Sequence, residues 1–193
     1  DAESEQLAAA RRAAAEGRCA AGWDSGKTRW AWLAVNLVTA FIASRVIGLF
    51  EDSIEKLVAL AALMPIVAGI GGNSGNQTIT MIVRAIAMGQ VQPDAMRRLL
   101  RKELGVATVN GLIWGGMLGI AAWWMYGSTM LGVVMTAAMT LNLLLAAFAG
   151  VGIPLLRQRF GADPAIGGSV MITALTDSGG FFIFLGLATL FLM

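Results

Sequence analysis

The sequence predicts an all-α integral membrane protein with five transmembrane helices per subunit. Three observations carry that expectation. Of its 193 residues 57% are hydrophobic and only 13% charged, the mean hydropathy is +0.71, and the apolar residues gather into stretches long enough to cross a bilayer. A soluble chain of this size leaves much of itself in contact with water and needs more charge than this.

Residues 1–29 read apart from the rest. Alanines with Glu3, Glu5, Arg11, Arg12 and Glu16 among them favour a helical, solvated cytoplasmic tail or a connecting helix. Residues 30–193 form the transmembrane domain. The first span opens at Trp30 and Trp32 and runs to Phe50, covering the roughly 30 Å of hydrocarbon at about 1.5 Å per residue, and Glu51, Asp52 and Glu55 end it. A second stretch, 57–88, is interrupted by Pro65 and by Gly69, Gly71, Gly72 and Gly75, a pattern that predicts a kinked or partly unwound helix. A polar connection over 90–102 carries Arg97, Arg98, Arg101 and Lys102. Further spans follow over 104–126, 130–156 and 164–193, with Arg157 and Arg159 after the fourth.

Basic residues sit in the tail, the second loop and the fourth, whereas the first loop is acidic and the third neutral. Lys- and Arg-bearing segments tend to stay in the cytoplasm, so a multi-pass protein of the plasma (inner) membrane is expected, amino terminus inside and carboxyl terminus outside. A net charge of +2, with no basic stretch interleaved with aromatics, gives no sign of nucleic-acid binding. Cys19 is the only cysteine and histidine is absent. That excludes an intrachain disulfide and removes the commonest zinc ligand and the usual general base.

Polar residues inside hydrocarbon are unfavourable unless they face protein, water or an ion. Two groups stand out. The first is residues 71–78, where Asn73, Asn76 and Gln77 supply amide oxygens among glycines. The second is Thr173, Thr176, Asp177 and Ser178. The glycines and Ser74 also suit a close helix crossing, which leaves the three amides unaccounted for. Asp177 is open to an ion pair with Arg45 or Arg84, to a hydrogen bond with Thr176, or to a cation shared between two copies of the carboxylate in a symmetric dimer. Magnesium fits this inventory, because it takes oxygen ligands in octahedral geometry and retains waters around one or two carboxylates. Softer metals fit poorly, since the eleven methionines are scattered like packing residues.

Over residues 30–193 the chain resembles the membrane domain of the MgtE-type magnesium channels. The resemblance is carried by the stretch from Leu63 through Pro65 to Gly72, Asn73, Gly75, Asn76 and Gln77, and by Ala162, Asp163, Pro164 and Ala165 followed by 173–182. It implies a homodimer of five-helix subunits surrounded by membrane lipid, with a pore on the two-fold axis lined by the second and fifth spans. Hydrated Mg2+ would be bound at Asp177, backbone carbonyls near Thr173 would contact its waters, and Asn73, Asn76 and Gln77 would lie close to the pore. Residues 1–25 resemble the helix that joins such pores to cytoplasmic magnesium-sensing modules; the pore domain without them is expected to close poorly at high internal magnesium. Glu51, Asp52 and Glu55 are expected to concentrate cations at the outer mouth.

A secondary transporter coupled to a proton or sodium is the rival reading, because a lone intramembrane aspartate and a broken glycine-rich helix also suit carriers. An enzyme is not expected. No histidine is present to activate a serine, and Asp177 has no second carboxylate within its span.

Overall fold

The computed structural model describes residues 30–89 and 93–193, all of whose regular structure is helical, and the expected tail helix over 1–29 lies outside the described residues. Six helices follow in chain order: α1 Trp30–Gly48, α2 Glu51–Lys56, α3 Ala59–Ala87, α4 Pro93–Tyr126, α5 Thr129–Arg159 and α6 Gly168–Leu192. Two compact units divide between Val38 and Thr39, inside α1. The described part of the first unit is the amino-terminal half of that helix, and the second unit holds everything from Thr39 onward.

Four stretches are long and apolar enough to cross a membrane: Trp30–Gly48, Met96–Tyr126, Thr129–Arg159 and Gly168–Leu192. At 29 residues α3 is as long as these, but its run of Gly71, Gly72, Asn73, Ser74, Gly75, Asn76 and Gln77 dilutes its apolar character. The helix is nevertheless unbroken from Ala59 to Ala87, which corrects the expectation of an unwound segment. Pro65 removes one ladder bond close to the helix start, and the glycines are held helical by what packs on them.

α5 is the centre of the second unit, packed against α3, α4 and α6. Its buried face includes Leu131, Val134, Met135 and Ala138, which join Leu60, Leu63 and Val67 of α3 and Phe184, Leu185 and Ala188 of α6 in one core. The contacts also give the helix directions. Gly71, Gly75 and Thr78 on α3 meet Asn142, Ala146 and Gly150 on α5, so these two run the same way. Gly111, Gly115 and Gly119 on α4 meet Thr140, Thr136 and Gly132, the reverse order, and α6 likewise opposes α3 through Thr176 at Gly72 and Gly168 at Ile79. α4 therefore starts, and α5 ends, at one end of the bundle, which carries Arg84, Arg97, Arg98, Arg101, Lys102, Arg157 and Arg159.

At the opposite end the turn from α4 to α5 is made by Gly127, whose φ of 68° favours glycine, and by Ser128, whose Oγ accepts from the Leu131 amide at 3.2 Å. The short helix α2 was not expected from sequence. It is tied to the carboxyl-terminal part of α6 by Ser53 Oγ and Thr189 Oγ1, 2.8 Å apart, with Phe50 edge-on to Phe182.

One boundary was misread from sequence. The basic residues taken as a loop are helical, because α4 begins at Pro93 and runs unbroken to Tyr126. Arginine, leucine, lysine and glutamate are strong helix formers, and no glycine intervenes before Gly105. Trp114, Met117, Ile120, Trp123 and Trp124 on this helix are exposed, an apolar surface of the kind that lipid or protein covers.

The α4–α5 seam rests on glycine. A Cβ at Gly132 would sit 2.6 Å from the backbone oxygen of Gly119, whereas one at Gly116 would meet nothing within 4 Å. Gly132→Ala is expected to lower stability by about 1–3 kcal/mol and Gly116→Ala to leave it unchanged or slightly raised. Thermal unfolding of both variants in detergent checks the contrast.

Candidate cation site

Two of the predicted polar groups flank the crossing of α3 and α6. At that crossing Gly72 lies 3.5 Å, as an added Cβ would measure it, from Thr176 Oγ1, and Gly75 abuts Ile172. The residues one step further along each helix are Asn73 and Asn76 on α3 and Thr173 and Asp177 on α6. The absence of side chains at Gly72 and Gly75 lets α6 approach, and the 100° turn per residue swings the following amides off the contact.

Asn73, Asn76 and Gln77 come together with Thr80, Met81 and Arg84 around an open cleft of about 660 Å³. Asn73, Gln77 and Thr80 are exposed and Asn76 is half-buried. Thr80 Oγ1 donates to the Asn76 carbonyl at 2.8 Å. Thr173 and Asp177 are both half-buried, one turn apart on α6, and lie outside the residues that line this cleft. Thr176 is fully buried, and its hydroxyl lies 2.9 Å from the Ile172 carbonyl and 3.2 Å from the Thr173 carbonyl, within donating reach of either. That arrangement returns the Thr176 hydroxyl to its own helix rather than to the Asp177 carboxylate.

Behind the crossing stands Asn142, which the sequence reading missed. It is fully buried on α5, wedged between Gly71 and Gly180, and its Nδ2 donates to the Val67 carbonyl at 2.9 Å. Its Oδ1 has no hydrogen-bond partner. The one amide in a span whose other polar side chains are the hydroxyls of Thr136 and Thr140 was the available signal, since such a group stays in hydrocarbon only when something holds it. Glu103, next to Lys102 on α4, is a second acid that the sequence reading did not single out: it is 7% exposed and accepts from Thr78 Oγ1 at 3.3 Å.

Among the described residues no group of three or more His, Cys, Asp or Glu side chains is gathered. Amide and hydroxyl oxygens with single carboxylates are the donors present, a set suited to an ion that keeps most of its water. The acidic residues Glu51, Asp52 and Glu55 are exposed on α2, at the α6 end distant from the basic termini.

The fold and its polar groups define a multi-pass membrane protein with oxygen donors suited to a hard cation. Residues 64–187 match the family model MgtE, described as a divalent cation transporter. The chain belongs to this family, whose members are transporters and not enzymes. Among similar proteins, the magnesium transporter MgtE of Thermus thermophilus is 34% identical over 161 residues, covering 83% of this chain and 36% of that protein. That of Bacillus subtilis is 30% identical over 164 residues, covering 85% and 36%, and that of Enterococcus faecalis 28% over 164, again 85% and 36%. The chain thus spans little more than a third of the length of these relatives.

The Asn142 clamp has a measurable consequence. Asn142→Ala removes the hydrogen bond to Val67 and is expected to lower stability by about 1 kcal/mol, read as a lower unfolding temperature in detergent.

Proposed function

We propose that this chain is the pore domain of a magnesium channel that passes hydrated Mg2+ across the plasma (inner) membrane. In this reading α1, α3, α4, α5 and α6 all span the bilayer, the amino terminus is cytoplasmic and the carboxyl terminus outside. Two copies pair about a two-fold axis with α3 and α6 facing the pore. The observation that carries it is the polar face of α3, where Asn73, Asn76 and Gln77 share one cleft next to the α3–α6 crossing at which Asp177 follows the contact residue Thr176. The basic end of the bundle supports the orientation, and the names of the relatives support magnesium as the ion.

Asp177 then supplies the charge. Two carboxylates near the axis would repel one another in a medium of low dielectric, and a dication between them relieves that repulsion. The amides and the Thr173 carbonyl accept hydrogen bonds from the ion's waters, so the ion passes without the large penalty of dehydration. The acidic face of α2 raises the local cation concentration at the outer end. An unbroken α3 favours this channel over the ion-coupled carrier, since carriers typically bind at discontinuous helices.

Magnesium flux into liposomes tests the proposal. Asp177→Asn is expected to reduce flux at least about tenfold in a folded, dimeric protein, and Thr173→Ala, which keeps the backbone carbonyl, to leave it nearly intact. Unchanged flux in Asp177→Asn would remove the carboxylate from the ion path. Flux that requires a proton or sodium gradient would replace the channel with the carrier.

A further inference from the structure

A second polar volume lies on the other side of α3. α4 packs chiefly along α5, and the gap between α3 and α4 holds a cavity of about 400 Å³ lined by Ser74, Gln77, Thr78, Lys102, Glu103 and Asn110 among others. Glu103 is the buried charge in it, 7% exposed, with Thr78 Oγ1 donating to its Oε2. A carboxylate offers about four acceptor positions, and Thr78 occupies one. Among the described residues no salt bridge neutralises it, although Lys102 lines the same cavity. A carboxylate withdrawn from bulk water among membrane helices is strongly disfavoured without a compensating partner.

Besides the Lys102 ammonium, the polar side chains that line the cavity with Glu103 are the hydroxyls of Ser74 and Thr78 and the amides of Gln77 and Asn110, the oxygen chemistry that suits hard dications. Six coordinated waters at about 30 Å³ each occupy roughly 180 Å³, well inside the cavity. We propose that this α3–α4 cavity is a second divalent-cation site, distinct from Asp177, in which Glu103 accepts hydrogen bonds from the waters of a hydrated ion. Gln77 and Met81 line both this cavity and the cleft on the other side of α3. An ion held behind α3 therefore acts on the same glutamine that faces the proposed conduction path, and it links α3 to α4 where few side chains do.

Mn2+ binding tests the site, because Mn2+ shares the hard-oxygen preference of Mg2+ and is read directly by electron paramagnetic resonance. The 193-residue chain in lipid nanodiscs carries Asp177→Asn throughout, so that the central carboxylate contributes nothing and the outcome is independent of the flux experiment. In that background Glu103→Gln is expected to weaken Mn2+ binding about 10–100-fold, the effect of losing an outer-shell partner. Asn110→Leu, which leaves the carboxylate and adds an apolar side chain at the cavity, is expected to weaken it as well and covers the case in which Glu103→Gln does not fold. Mn2+ affinity unchanged in a folded Glu103→Gln variant, or in Asn110→Leu when that is the variant that folds, would overturn the proposal. So would the absence of any Mn2+ binding in the Asp177→Asn chain, which would leave Lys102 or water as the partner of Glu103.

Discussion

Close approach of three helices at glycine is the constraint on which this structure depends. Hydrocarbon offers no hydrophobic drive for helices to associate, so packing and interhelical hydrogen bonds must hold them. Gly71, Gly75 and Gly180 leave room for Asn142, Ile172 and Ala146, and the Asn142 amide then reaches the Val67 carbonyl. Remove that room and α3 moves away from α5 and α6. The amides of α3 and the carboxylate of α6 would then lose their mutual placement, since both sit one residue beyond the contact positions.

The same constraint sorts the polar groups by burial. Thr176 and Asn142 are fully buried, and the Thr176 hydroxyl and Asn142 Nδ2 donate within the bundle while Asn142 Oδ1 has no partner. Asn73, Gln77 and Thr80 are exposed on α3, and Asp177 is half-buried. Polar side chains left at the surface of membrane helices face water, a partner subunit or an ion rather than lipid.

Charge is distributed unevenly between the two ends of the bundle. Arg84, Arg97, Arg98, Arg101, Lys102, Arg157 and Arg159 collect at one end of the bundle, while the exposed acids of α2 sit at the other, anchored through Ser53 and Thr189. A cation meets an attractive field on the acidic side. In the proposed topology the basic side would be the cytoplasmic one, as the orientation preference of Lys- and Arg-bearing loops implies. Glu103 on α4 lines a cavity with Ser74, Gln77, Thr78 and Asn110, and Asp177 lies half-buried on α6 one turn from Thr173.

What the sequence by itself determined is the helical membrane class, most of the helix positions and the polar residues of α3 and α6, because the expense of placing polar groups in hydrocarbon makes them conspicuous one at a time. Asp177, Thr173, Asn73, Asn76 and Gln77 were legible on that ground, and the motif around Pro65 and Gly72 was specific enough to indicate the family. The continuity of α3 was not legible, since Pro65 and the glycines look like breaks until Asn142, Ile172 and Thr176 are seen packed against them. Nor was the burial of Glu103, which follows Arg101 and Lys102 and is seen to be enclosed only once Thr78 of α3 packs against it. Tertiary structure decided those points because they depend on which helix lies against which, and residue order along one chain carries no record of a contact such as that between Thr78 and Glu103, twenty-five positions apart on different helices.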